Sequence, residues 1–268
     1  MDSLEKGITL FPVGGVGNQM FVTSAAYVAH RDLKCPLYLL QPVASKNPHN
    51  KKNRNYNKSL FKYFGKHLPF SVNATHFLVL LNYKEFKPTC FQGWSTEMIQ
   101  PGTIFRSYFQ YYPVLKPYEP ELRELFLKGL AEFPVKDYSD CAFLHVRRGD
   151  YVGNVNCQQL TDDYYKRAIT LLPNVQKIMV VSNDTSWVKE QEFFRDPLFE
   201  LHESDDELET MALMSKCTAG AICANSTYSW WGAFLGAYGA RNPVIVPKSW
   251  FLKDDAPADL FPEEWITI

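Results

Sequence analysis

The chain has 268 residues, with 28 Lys and Arg against 29 Asp and Glu, and the formal charge of −1 excludes a global attraction to nucleic acid or anionic membrane. Phosphate recognition must therefore be local. The length fits two domains with a cleft between them, and the 15% aromatic content suits large cores as well as stacking on a sugar or a base.

The start, Met1-Asp2-Ser3-Leu4-Glu5-Lys6, lacks the basic segment and apolar core of a secretory signal, and no apolar run approaches the ~20 residues of a membrane span. A soluble intracellular protein is expected. The six cysteines show no CxxC spacing, so reduced and partly buried thiols are expected. The sequon Asn73-Ala74-Thr75 then carries no weight, because a cytosolic chain does not meet the glycosylation machinery.

In chain order, Ile8 to Val13 reads as a strand, Gly14-Gly15-Val16-Gly17 as a turn, and Asn18 opens a helix to about His30. Leu37 to Leu40 reads as a second strand, and the polar Gln41 to Lys58 reads as an exposed loop that is either solvated or in contact with an acceptor. The aromatic run Phe105 to Tyr112 ends at Pro113, and Tyr118 to Leu130 has helical spacing at Leu122, Leu125, Phe126 and Leu130. The second half alternates strand 141–146, helix 162–172 ending at Pro173, and strand 177–182. Ser204-Asp205-Asp206-Glu207 has capping-box spacing before a helix from about Asp205 to Lys216. Ala221 to Ala224 reads as a strand, followed by a helix carrying Trp230, Trp231, Phe234, Leu235 and Tyr238, then strand Val244 to Val246. Trp230 and Trp231 read as core, since large aromatics are usually buried. The acidic pairs Asp162-Asp163, Asp205-Asp206 and Asp254-Asp255 read as helix starts and a solvated loop rather than metal ligands. Such alternation favours parallel sheets covered on both faces.

In open parallel sheets ligands sit outside the carboxyl ends of the strands, and three motifs occupy that position. Gly14-Gly15-Val16-Gly17-Asn18 lets backbone approach a ligand closely at a helix start, although neither the dinucleotide GxGxxG pattern nor the P-loop pattern is present. His145-Val146-Arg147-Arg148-Gly149-Asp150 sets two guanidiniums after a buried strand, where one of them can grip a diphosphate or pair with a carboxylate to lock the loop. Asn225-Ser226-Thr227 offers hydroxyls and N–H donors at a helix start, either for a phosphate or as an N-cap. Asp184, after a further strand, can accept from a ribose or base, or cap a helix.

These segments, with Gln19-Met20-Phe21, Tyr151-Val152, Ser182 to Trp187 and Tyr228 to Ala233, resemble in order the motifs of glycosyltransferase family 11, the α-1,2-fucosyltransferases. Val246-Pro247-Lys248-Ser249-Trp250 and the tail from Asp259 to Ile266 resemble its bacterial-type members. The resemblance implies an α/β GT-B architecture of two Rossmann-like domains with parallel sheets facing across a cleft. An acceptor-side domain over 1–135 and a GDP-sugar-binding domain over 136–268 are expected, with the C-terminal tail able to pack back on the first. It implies inverting transfer of L-fucose from GDP-β-L-fucose to a glycan acceptor, with no metal and no nucleic-acid partner. Lacking the N-terminal span of animal relatives, the chain fits a soluble cytoplasmic type, bacterial or viral. In these terms Arg147 grips the diphosphate, and His145 helps form the guanosine pocket. Ser226 and Thr227 complete the phosphate cradle, and Gly15, Gly17, Asn18, Gln19, Arg148, Asp184 and Asn225 are further donor-site residues. Asp150 is the carboxylate nearest the diphosphate motif and a candidate base, or it orients Arg147. Members of the family often carry Asp where this chain has Thr210. Another GT-B enzyme with a different nucleotide sugar and a non-enzymatic glycan-binding module are the alternatives.

Overall fold

The computed structural model describes residues 5–11, 14–40, 52, 54–68, 83–173, 175–236 and 242–268. The chain divides into two compact units, Met1–Glu132 and Phe133–Ile268.

The first unit is built on a five-stranded parallel sheet: β1 (Ile8–Leu10), β2 (Leu37–Leu40), β3 (Lys66–Leu68), β4 (Lys84–Phe86) and β5 (Thr103–Phe105), in the order β3-β2-β1-β5-β4. The expected first strand is thus shorter, and Pro12 and Val13 lie outside the described residues. Helix α1 (Val16–Leu33) crosses from β1 to β2 and is buried from Val16 through Val22 to Ala29 except at Asn18, as a helix with apolar and small residues all round must be. It begins two residues before the expected start. Gly14 (φ 73°) and Gly15 complete the turn by themselves, which leaves Gly17 inside the first helical turn. The aromatic run supplies the end of β5, the buried Phe109 and the one-turn helix α2 (Tyr112–Leu115). Helix α3 (Glu119–Leu130) buries Leu122, Phe126 and Leu130, with Phe126 4.5 Å from Phe64 between ring centres.

The second unit has a six-stranded parallel sheet: β6 (Cys141–Val146), β7 (Lys177–Ser182), β8 (Phe199–Leu201), β9 (Gly220–Ile222), β10 (Val244–Val246) and β11 (Ile266–Thr267), in the order β11-β10-β9-β6-β7-β8. The tail, which the sequence reading allowed to reach the first domain, contributes the edge strand β11 to this sheet. Connecting helices are α4 (Asp162–Ile169), α5 (Thr185–Glu190), α6 (Glu207–Lys216) and α7 (Thr227–Leu235). Position 238, expected on α7, lies outside the described residues, as do 41–51 and 53 of the expected loop and the sequon at 73–75. Trp230 and Trp231 are core, at 1% and 0% exposure, and the Trp230 indole N–H donates to the Leu260 carbonyl at 2.9 Å.

The capping box at Ser204 does not form. Asp206 caps α6 by accepting from the N–H groups of Leu208 and Glu209 at 3.0 and 3.3 Å, while the Ser204 hydroxyl donates to the Glu209 carboxylate. A carboxylate one step from the helix meets two donors at once and is favoured by the helix dipole. All six cysteines are free thiols. Among the described residues no helix is long and apolar enough to cross a membrane.

Candidate functional site

Strands β9, β6 and β7 are adjacent and parallel, so the chain leaves all three at one rim of the second sheet. The segments 147–151, 183–184 and 223–227 therefore meet there. Their contacts are specific. Gly149 sits at φ 50°, and a Cβ on it would lie 2.4 Å from the Asn183 side-chain nitrogen, so glycine is what lets the two loops approach. The Arg148 N–H donates to Asn183 Oδ1 at 2.9 Å. The Arg148 guanidinium lies 4.0 Å over the Trp187 ring, with Nε 3.5 Å from Asp184 Oδ2. Asp184 also caps α5 by accepting from the Trp187 N–H at 3.2 Å. Arg148 and Asp184 thus tie the β6 and β7 loops together.

Arg147 is placed differently. Its side chain is 17% exposed, its terminal nitrogen is 2.6 Å from Asp150 Oδ1, and its guanidinium lies 5.1 Å from the centre of the Tyr151 ring. Its Nε is buried and has no hydrogen-bond partner. Tyr151 donates its hydroxyl to the Asn225 carbonyl at 2.9 Å, and burial pushes its phenol up to about 12. The ring that supports Arg147 is therefore anchored to the β9–α7 loop. The Asn225 amide in turn donates to the carbonyls of Gln158 and Trp250 at 2.9 and 2.8 Å, which fixes that loop from two sides. Its Oδ1 is buried without a partner. Ser226 caps α7 by accepting from the Tyr228 N–H at 3.3 Å, and Thr227 is the first helical residue.

His145 stands beneath this rim at 2% exposure, edge-on to the Tyr228 ring at 5.7 Å between centres. Burial first, and the Arg147 charge second, hold its pKa down at about 3, so the imidazole is neutral at any working pH. Its Nδ1 is a buried atom without a partner. Tyr228 is fully buried and donates to the Glu207 carbonyl at 2.5 Å. Thr210 hydrogen-bonds to the same phenol, which burial raises well above its ordinary value. Tyr151 and Tyr228 are the residues that reading the motifs by charge and hydroxyl alone overlooks; the signal for them is that a buried tyrosine must place its O–H.

The glycine turn belongs to the first unit, at the carboxyl end of β1. The Gln19 amide, 7% exposed, donates to the Gly14 carbonyl at 3.0 Å, and Asn18 Oδ1 accepts from the Gln110 amide at 2.9 Å. Gly15 is the N-cap, extended and without a side-chain cap, and Gly17 is buried in the first turn. Among the described residues no group of three or more His, Cys, Asp or Glu is arranged to hold a metal ion. The acidic pairs serve as read from the sequence: Asp162 and Asp163 lie in the first turn of α4, and Asp255 pairs with Lys248 at 3.2 Å.

A sequence model of the family described as Glycosyl transferase family 11 matches residues 108–268. The O-antigen biosynthesis glycosyltransferase WbnK of Escherichia coli is 29% identical over 95% of this chain and 98% of its own length. The alpha-1,2-colitosyltransferase of Escherichia coli is 32% identical over 56% of this chain and 57% of its own length. Among solved structures, POFUT1 in complex with GDP-fucose shares 12% identity at a TM-score of 0.54, covering 91% of this chain and 99% of that one. That likeness is one of fold.

Proposed function

The chain belongs to glycosyl transferase family 11, and from that premise we propose that this GT-B-like enzyme transfers L-fucose from GDP-β-L-fucose to a sugar hydroxyl, with inversion and formation of an α-1,2 linkage. The observation that carries the reading is Arg147: a guanidinium at the end of a buried parallel strand, held from below by Tyr151 and next to the loop that starts α7. In fucosyl transfer positive charge develops at the sugar carbon while negative charge builds on the departing diphosphate. A preorganised guanidinium opposes that charge where it forms, with the Ser226 and Thr227 hydroxyls as further proposed donors, since the Ser226 N–H is already given to the Ala224 carbonyl at 2.7 Å. Neutral His145 lines the floor without adding a second cation.

Arg148 and Asp184 act in this scheme by fixing the loops. Asn225 does the same through its two carbonyl contacts. Gly15, Gly17, Asn18 and Gln19 enter the proposal as donor contacts on the resemblance of their motif. Asp150 is the proposed base for the acceptor hydroxyl, and its ion pair with Arg147 is the competing role. An Asp150→Asn enzyme should lose about 10²–10⁴ in rate together with the acid limb of its pH profile. A modest loss with an unchanged profile would assign Asp150 to holding Arg147 alone.

Transfer is proposed to need no metal, so turnover should persist in EDTA. The deciding experiment is incubation with GDP-fucose and a panel of acceptors, followed by linkage analysis of the product. The colitosyltransferase relative favours one second reading, transfer of a different sugar from another nucleotide-sugar donor. Parallel reactions with GDP-colitose, GDP-mannose and UDP-sugars separate the two, and turnover confined to one of those donors would overturn the fucosyl assignment.

A further inference from the structure

We propose that the N-terminal rim of the first sheet is a docking face for an anionic lipid surface. Lys66 opens β3, Lys34 and Lys6 stand just before β2 and β1, and Lys84 opens β4. The parallel registers set these strand starts in a row: Tyr38 pairs with Lys66, Ile8 with both Leu37 and Thr103, and Thr103 with Lys84. All four lysines are exposed. With strands ~4.8 Å apart, the row runs for about 20 Å along one edge of the sheet. Lys58 and Lys62, also exposed, lie on the segment that leads into β3.

The sequence segment that carries most of this row is cationic. Residues 33–84 hold nine Lys and Arg and no Asp or Glu, seven of the nine among the described residues, which leaves 19 Lys and Arg against 29 Asp and Glu in the rest of the chain. The net charge near zero thus conceals a cationic block within an acidic remainder. Glu5 beside Lys6, Asp32 just before Lys34, Glu85 and Glu97 near Lys84, and Glu132 at 3.4 Å from Lys62 offset part of it.

The chemistry of the row favours a broad anionic surface over a single bound phosphate. It is made of lysines spread along an edge, compact charges on long apolar stems, and it lacks the converging forked guanidiniums that clasp one phosphate. Tyr63, 46% exposed with the Lys62 ammonium 5.5 Å from its ring centre, adds the kind of amphipathic aromatic that settles at a headgroup layer. The rim lies at the opposite end of the strands from the Gly14-Gly15 turn, so docking leaves that turn uncovered.

Co-sedimentation of the full chain with vesicles tests this. Binding should occur on equimolar phosphatidylcholine and phosphatidylglycerol, be absent on pure phosphatidylcholine, and fall as salt rises. Each lysine near such a surface is worth roughly fivefold in partition, so the Lys34→Gln/Lys66→Gln/Lys84→Gln protein should lose about 10²-fold. A control with the same change in net charge, Lys136→Gln/Lys216→Gln/Lys253→Gln, should lose little, and thermal melts establish that both variants are folded. No binding of the parent to anionic vesicles, or equal losses in the two variants, would overturn the proposal. Tight retention on nucleic acid with none on vesicles would also overturn it, by naming a different polyanion.

Discussion

Arg147 differs from Arg148 in what it joins. Each has one carboxylate, one ring and a buried Nε without a hydrogen-bond partner, but Arg148 reaches Asp184 and Trp187 and so ties two loops together, whereas the partners of Arg147, Asp150 and Tyr151, lie in its own loop. Arg147→Ala should therefore cut kcat by about 10²–10³ while leaving the protein folded, as removal of one transition-state donor does. Arg147→Lys should recover little, because an ammonium cannot make the paired contact. GDP release in the presence of acceptor measures both, and parental turnover in Arg147→Ala would remove the assigned role. Much of this was legible in the sequence, because arginine pairs and N-capping hydroxyls announce themselves by type and place. The Tyr151 and Asn225 brace was not. It depends on a phenol reaching a carbonyl in a loop 74 residues further along the chain, and nothing in local spacing encodes that distance.

At the scale of elements, the clearest strands in the sequence were the ones with the longest apolar runs. β6 and β7 have the limits read from the sequence because both are buried on two faces and bounded by polar residues. β3, β4 and β8 were not legible: Lys66-His67-Leu68 and Lys84-Glu85-Phe86 have no strand pattern, and at three residues each they exist through pairing with a neighbour. Two turns can be tested. Gly149→Ala places a side chain in the left-handed region and against Asn183, so it should cost about 1–2 kcal/mol in urea denaturation and weaken donor binding by spreading the two loops. Asp206→Ala should cost about 1 kcal/mol through loss of the α6 cap, and Ser204→Ala distinctly less. The reverse order would restore the capping box that the sequence spacing suggested.

For the molecule as a whole, length pointed to two units, and the net charge concealed how unevenly charge is divided between chain segments. Stability against pH is also a property of the whole fold, and His145 gives it a sign. Its pKa falls from 6.5 to about 3 on folding, so between those values the unfolded chain binds a proton at this position that the folded chain refuses. Stability is thus undiminished by this group above pH 6.5 and is lost as pH falls toward 3, at about 1.4 kcal/mol per unit. His202, also depressed by burial, acts in the same direction. Unfolding free energies taken from urea denaturation at pH 7 and pH 5 should differ by about 2 kcal/mol more in the parent than in His145→Gln, which has no imidazole to charge. Identical pH dependence in the two proteins would mean that the imidazole accepts its proton without unfolding, and that the floor beneath Arg147 is open to water.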